Sequence, residues 1–135
     1  MSLQGKPTYD DAEIFALIKI VSGKRIEQRR RRNAISQAQL AAAIGRSERW
    51  IREMEAGIPT STIEDHVRCA HWLGMSTAHI LIPLLCMEHG IPAPRELLAL
   101  DDLWSVEIAW LEIIAAEQHK AEQRRTQFSP RRRDP

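Results

Sequence analysis

A single glycine divides what would otherwise read as one amphipathic helix. In SQAQLAAAIGRSERWIREMEAG, residues 36–57, apolar residues recur at helical spacing up to Ile44, stop at Gly45 and restart three residues later. Glycine supplies the left-handed residue that ends a helix at low cost. Ser36 and Ser47 then offer hydroxyls to the orphan N–H groups of the helices that follow them. Two short helices joined by so tight a turn must cross steeply. The crossing leaves room only for small side chains, which Ala41 and Ala42 provide, while Leu40, Ile44, Ile51 and Met54 are spaced to close a shared core beneath the turn. These constraints predict a helix-turn-helix. Gly45→Val, which places a β-branched residue where a left-handed one is needed, is expected to destabilise it.

The second helix of the pair turns Glu48, Arg49, Arg52 and Glu53 outward, with Arg46 in the turn. An outward face of arginines and acids, led by a helix N-terminus, suits the major groove of DNA. The competing reading is an ordinary solvated face. Charge distribution favours the first: residues 23–57 carry nine Lys/Arg against four Asp/Glu, whereas residues 58–123 carry three against ten, within a chain of net charge +1. A basic block beside an acidic one is expected of a chain that meets a polyanion with one side. Arg29, Arg31 and Arg32 read equally as phosphate contacts or as the solvated end of a helix.

Almost every other segment also reads as helix. One runs from a cap at Asp10 or Asp11 to Ile20, and a second from near Gly23 through Arg32. Ser61 or Thr62 starts another, ending at Leu73 and Gly74. Ser76 restarts the chain, and Gly90, Pro92 and Pro94 end that section. The last helix spans about Asp102 to Arg124. It is apolar on more than one side, at Leu103, Trp104, Val106, Ile108, Trp110, Leu111, Ile113, Ile114 and Ala115. Such a helix buries its faces either against its own domain alone or also against a second copy, and a homodimer through residues 102–124 is expected. The organisation is therefore a lead-in helix at 1–22, a helix-turn-helix domain at 23–90, a helical extension at 91–124 and a disordered basic tail at 125–135.

No secretory signal opens the chain, and the most apolar run, Ile80 to Met87, is too short to span a bilayer and contains Pro83. Cys69 and Cys86 lie in apolar surroundings and read as free thiols of a cytoplasmic protein. His66 with Cys69, and Cys86 with His89, have the spacing to share a helical face. Neither pair has a zinc-knuckle setting, so no metal or other cofactor is expected. Paired carboxylates, phosphate loops and nucleophile constellations are also missing, which argues against an enzyme.

The central half of the chain resembles the Cro/XRE-type helix-turn-helix domain of phage repressors and bacterial regulators. The resemblance rests on GKRIEQRR at 23–30, SQAQLAAAIG at 36–45, WIREMEAG at 50–57 and CAHWLGMS at 69–76, with no gap across the turn. It implies an all-α, lambda-repressor-like bundle, here with an N-terminal helix and a long C-terminal extension. It further implies base reading by Glu48, Arg49 and Glu53, and backbone contacts by Gln37, Ser47, Trp50 and the 57–62 loop, including Thr60 and Ser61. Arg30 and Glu55 are implied to form a partly buried ion pair. Cys69 falls where the family places a core hydrophobe.

Together these readings describe a regulator that binds double-stranded DNA through residues 47–56, as a dimer on a two-fold symmetric site. The arginine Arg49 is the foremost base reader, because a bidentate arginine–guanine contact discriminates by about 1–3 kcal/mol. The alternative is an antitoxin-like adaptor that keeps the scaffold but binds a protein partner through its acidic half and apolar last helix.

Overall fold

Helix α1 runs unbroken from Asp11 to Arg32, past the glycine expected to divide it. Its buried stripe is Ile18, Ser22, Ile26 and Arg30, one residue every four, with Gly23 beside it. A glycine inside a helix costs about 1 kcal/mol against alanine, and here a packing partner explains it. A Cβ on Gly23 would lie 2.3 Å from the carbonyl oxygen of Met54. The missing side chain lets α1 meet the end of the second motif helix, so Gly23 marks a close approach and not a helix end.

The computed structural model describes residues 11–128, with no strand among them. After α1 come α2 (Gln37–Ile44), α3 (Glu48–Glu55), α4 (Ile63–Trp72), α5 (Ala78–Glu88), the single turn α6 (Arg95–Leu98) and α7 (Trp104–Phe128). The protein is all-α. No helix among the described residues is long and apolar enough to cross a membrane.

Local chemistry accounts for the boundaries around the turn. At the start of α2, Ser36 Oγ accepts from the Gln39 N–H at 3.0 Å while the Ser36 N–H donates to Gln39 Oε1 at 2.8 Å, a reciprocal capping box. Gly45 closes the helix in the left-handed region at φ 72°, ψ 36°. Ser47 Oγ then accepts from the Trp50 N–H at 3.1 Å and opens α3.

Beneath the turn, Leu40, Ala41, Ile44, Ile51 and Met54 are buried together with Ile26 from α1 and Cys69, Ala70, Leu73 and Met75 from the α4 region. Each large aliphatic side chain in this cluster contributes about 1.5–3 kcal/mol relative to exposure. Of the two alanines expected at the crossing, only Ala41 is there. Ala42 lies one residue further round α2 and is exposed.

The compact unit that contains the turn extends to Leu103. Leu103, expected on the last helix, precedes α7 and is buried. Its N–H donates to Ser76 Oγ at 3.1 Å, and Asp102 Oδ1 accepts from the Ser76 N–H at 3.1 Å. Helix α7 belongs to a second unit and continues to Phe128, so residues 125–128 of the expected tail are helical. The remainder of that tail and the Asp10 cap lie outside the described residues.

Candidate nucleic-acid interface

Eight residues make up α3, and they divide by burial. Ile51, Met54 and Glu55 face inward, at the i, i+3, i+4 spacing of one helical side. Glu48, Arg49 and Arg52 are exposed and Glu53 is half-buried. Arg49 has 83% of its side chain accessible, against 43% for Arg46 in the turn. Its Nε donates to Glu53 Oε1 at 3.1 Å, one helical turn away. A pair so exposed contributes only about 0.3–0.5 kcal/mol and opens easily to another acceptor.

Two networks anchor this helix from below. On one side Arg30 and Glu55 form a bidentate pair, with Nε to Oε2 at 2.7 Å and Nη2 to Oε1 at 3.0 Å. Arg30 Nη1 also donates to the Ile35 carbonyl at 2.9 Å. The hydrogen bonds that Arg30 donates to Glu55 raise the Arg30 pKa above its ordinary value against the opposing effect of burial. Glu55 Oε1 accepts a further bond from Gln37 Nε2 at 3.0 Å. The Gln37 amide, implied to face phosphate, is therefore half-buried and braces α2 against α3.

On the other side Asp65, almost wholly buried, accepts from Arg46 Nη2 at 3.1 Å and from the Thr62 hydroxyl at 2.8 Å. The guanidinium of Arg46 lies 5.2 Å above the Trp50 ring. That stack fixes both side chains at the entrance to α3. In the sequence the only local sign of Asp65 is Thr62, three residues before it at the spacing of a helix cap.

Ser61 corrects an expectation. Its hydroxyl donates to the Ile58 carbonyl at 2.8 Å and meets His66 Nε2 at 2.9 Å, and its own N–H donates to Ile58 as well. Buried and fully engaged, it has nothing to offer a phosphate. Thr60 beside it is exposed. Because the Ser61 proton goes to Ile58, His66 carries its proton on Nε2 and accepts at Nδ1 from Ser22, 2.8 Å away. Burial, with Lys19 nearby, pushes the His66 pKa down to about 4. Cys69 is equally enclosed. Its thiol, 3.6 Å from the Met54 sulfur, is pushed up to about 12 by burial.

The basic end of α1 differs from its sequence appearance. Arg29 is bound by Asp102, Arg32 lies 3.6 Å from Asp101, and Arg31 pairs with Glu27 at 3.0 Å. Arg25 donates to the carbonyls of Leu100 and Asp101. Burial would raise the Asp102 pKa, but the Ser76 N–H and Arg29 overcome it and hold the carboxyl below its ordinary value. Arg29 is thus an internal tether, and the run as a whole is partly neutralised by carboxylates 70 residues further on.

A two-helix turn with a buried underside, an exposed arginine-bearing second helix and braces at both ends defines the helix-turn-helix class of DNA-binding domains. Residues 23–80 match the family model described as a helix-turn-helix domain. The match is consistent with a Cro/XRE-type domain. No curated protein and no solved structure matches the chain. Among the described residues no cluster of three or more His, Cys, Asp or Glu side chains is placed to hold a metal.

Proposed function

We propose that the protein is a sequence-specific DNA-binding transcriptional regulator whose helix α3 enters the major groove. The supporting observation is the division of α3 into an inward side fixed by Ile51, Met54 and Glu55 and an outward side free to meet a ligand. Arg49 and Arg52 take guanine edges, and Glu48 and Glu53 accept from cytosine amino groups. Arg46, the Trp50 indole, Thr60, the N-terminal turn that starts at Ser47 and the second N–H of the Gln37 amide take phosphates. The protein acts in the cytoplasm as a regulator and not an enzyme.

Two copies paired through α7 read two half-sites about 34 Å apart. The apolar side chains that α7 leaves exposed support this, among them Ile108, Leu111, Ile113 and Ile114. The same side chains favour a second reading, an adaptor that binds another protein. Titrating the full chain with mixed duplex DNA at two salt concentrations separates the two. A DNA binder loses affinity steeply as salt rises, because each neutralised phosphate releases counterions. Negligible binding at both concentrations rejects the DNA reading.

A further inference from the structure

Away from α3, one side of the compact unit is hollow. Helices α1, α5 and α6, with the 90–93 turn, wall an apolar cavity of about 440 Å³. That is within the range of small-molecule sites, roughly 300–1,000 Å³. Leu17 and Val21 from α1 stand partly exposed at its edge, Pro83 and Met87 come from α5, and Leu98 from α6. One cation, the exposed Arg95, is also in the lining at the cavity's edge, and no described residue pairs with its guanidinium. The other charged groups on these elements are engaged elsewhere or lie outside the lining.

An apolar wall with a single unpaired guanidinium selects a ligand of matching asymmetry. A neutral hydrocarbon would leave Arg95 unused. A doubly charged phosphate would need more donors than one planar fork supplies, whereas a carboxylate meets that fork with two parallel hydrogen bonds.

We propose that this cavity binds an amphipathic monocarboxylic acid, with its alkyl chain against Leu17, Val21, Pro83 and Met87 and its carboxylate on Arg95. The site is separate from the outward side of α3. It nonetheless shares α1 with it, since the helix that supplies Leu17 and Val21 also carries Gly23 and Arg30, which touch α3.

Calorimetric titration of the full chain with decanoate and with decanol, in the absence of DNA, tests the proposal independently of the DNA-binding reading. Decanoate should bind once per chain and decanol more weakly. Arg95→Gln should weaken decanoate by roughly tenfold, the worth of a charge-assisted contact, and leave decanol unchanged. Val21→Trp fills the cavity from α1 and Ala93→Trp from the turn. Whichever variant keeps the parent's circular dichroism should lose both ligands. Absence of decanoate binding, equal binding of acid and alcohol, or full binding in a folded cavity-filling variant would overturn the assignment.

Discussion

Two arginine-bearing stretches look alike in the sequence and have opposite fates in the fold. The end of α1 brings Arg25, Arg29, Arg30, Arg31 and Arg32 into eight residues, yet Arg25, Arg29 and Arg30 are drawn inward, to backbone carbonyls, to Asp102 and to Glu55, while Arg31 and Arg32 stay exposed but paired with Glu27 and Asp101. The α3 region brings fewer, but Arg49 and Arg52 keep their side chains outside. Cationic residues in a sequence are therefore not cationic surface. What separates the two stretches is the presence of carboxylates at the right place in space, which a local reading does not register.

The comparison breaks most visibly at its buried end. Glu55→Ala leaves the buried Arg30 charge without its carboxylate, with only the Ile35 carbonyl to accept from it, and loss of about 3–5 kcal/mol is expected in denaturant unfolding. A loss below about 1 kcal/mol would show that the pair does not anchor α3. The acid sensitivity of the same unit should follow His66. Its folded pKa of about 4 lies below the ordinary 6.5, so the unfolded state binds the extra proton between those values. Stability is thus complete above pH 6.5, falls as pH drops through the window and levels near pH 4, by roughly 3 kcal/mol in all. Asp102, whose carboxyl is held below its ordinary 3.8, adds a separate loss at lower pH still. His66→Phe should remove the slope between pH 6.5 and 4 even if it lowers stability throughout, and an unchanged slope would assign it to another group.

Arg29→Ala should come next, at about 2 kcal/mol, because Asp102 loses a charged partner and keeps only the Ser76 N–H. Gly45→Val should cost about 1–2 kcal/mol by forcing a β-branched residue to positive φ. If the variant melted no earlier than the parent, the account of the turn would fail. The smallest stability effect belongs to Arg49→Ala, within about 0.5 kcal/mol, since only the exposed pair with Glu53 is lost. Its effect should fall on DNA, where it removes about 1–3 kcal/mol of discrimination at one base pair. Arg29 and Arg49 thus form a crossed pair, one moving stability and the other specificity.

What was legible in the sequence was local. Ser36, Gly45 and Ser47 announce the turn because capping and left-handed termination need only near neighbours. The apolar spacing of Leu40, Ile44, Ile51 and Met54 identifies the core for the same reason. Gly23 was misleading because its reason, the Met54 carbonyl, lies on another helix. The tether between Arg29 and Asp102 spans 73 residues, beyond any periodicity. Ser61 looked like a loop donor, but its hydroxyl is taken by Ile58 and His66 in the fold. Asp65 is legible from Thr62, already a candidate helix start, since their spacing is that of a helix cap, although the reach of Arg46 to that carboxylate is not.

Selection of bound duplexes from a random library, run in parallel on the parent chain, Arg49→Ala and Arg29→Ala, tests the central claim most directly. The account predicts a two-fold symmetric consensus for the parent, the same consensus for folded Arg29→Ala, and a relaxed position in each half-site for Arg49→Ala. A parent chain that enriches no sequence, or an Arg49→Ala consensus identical to the parent's, would contradict it.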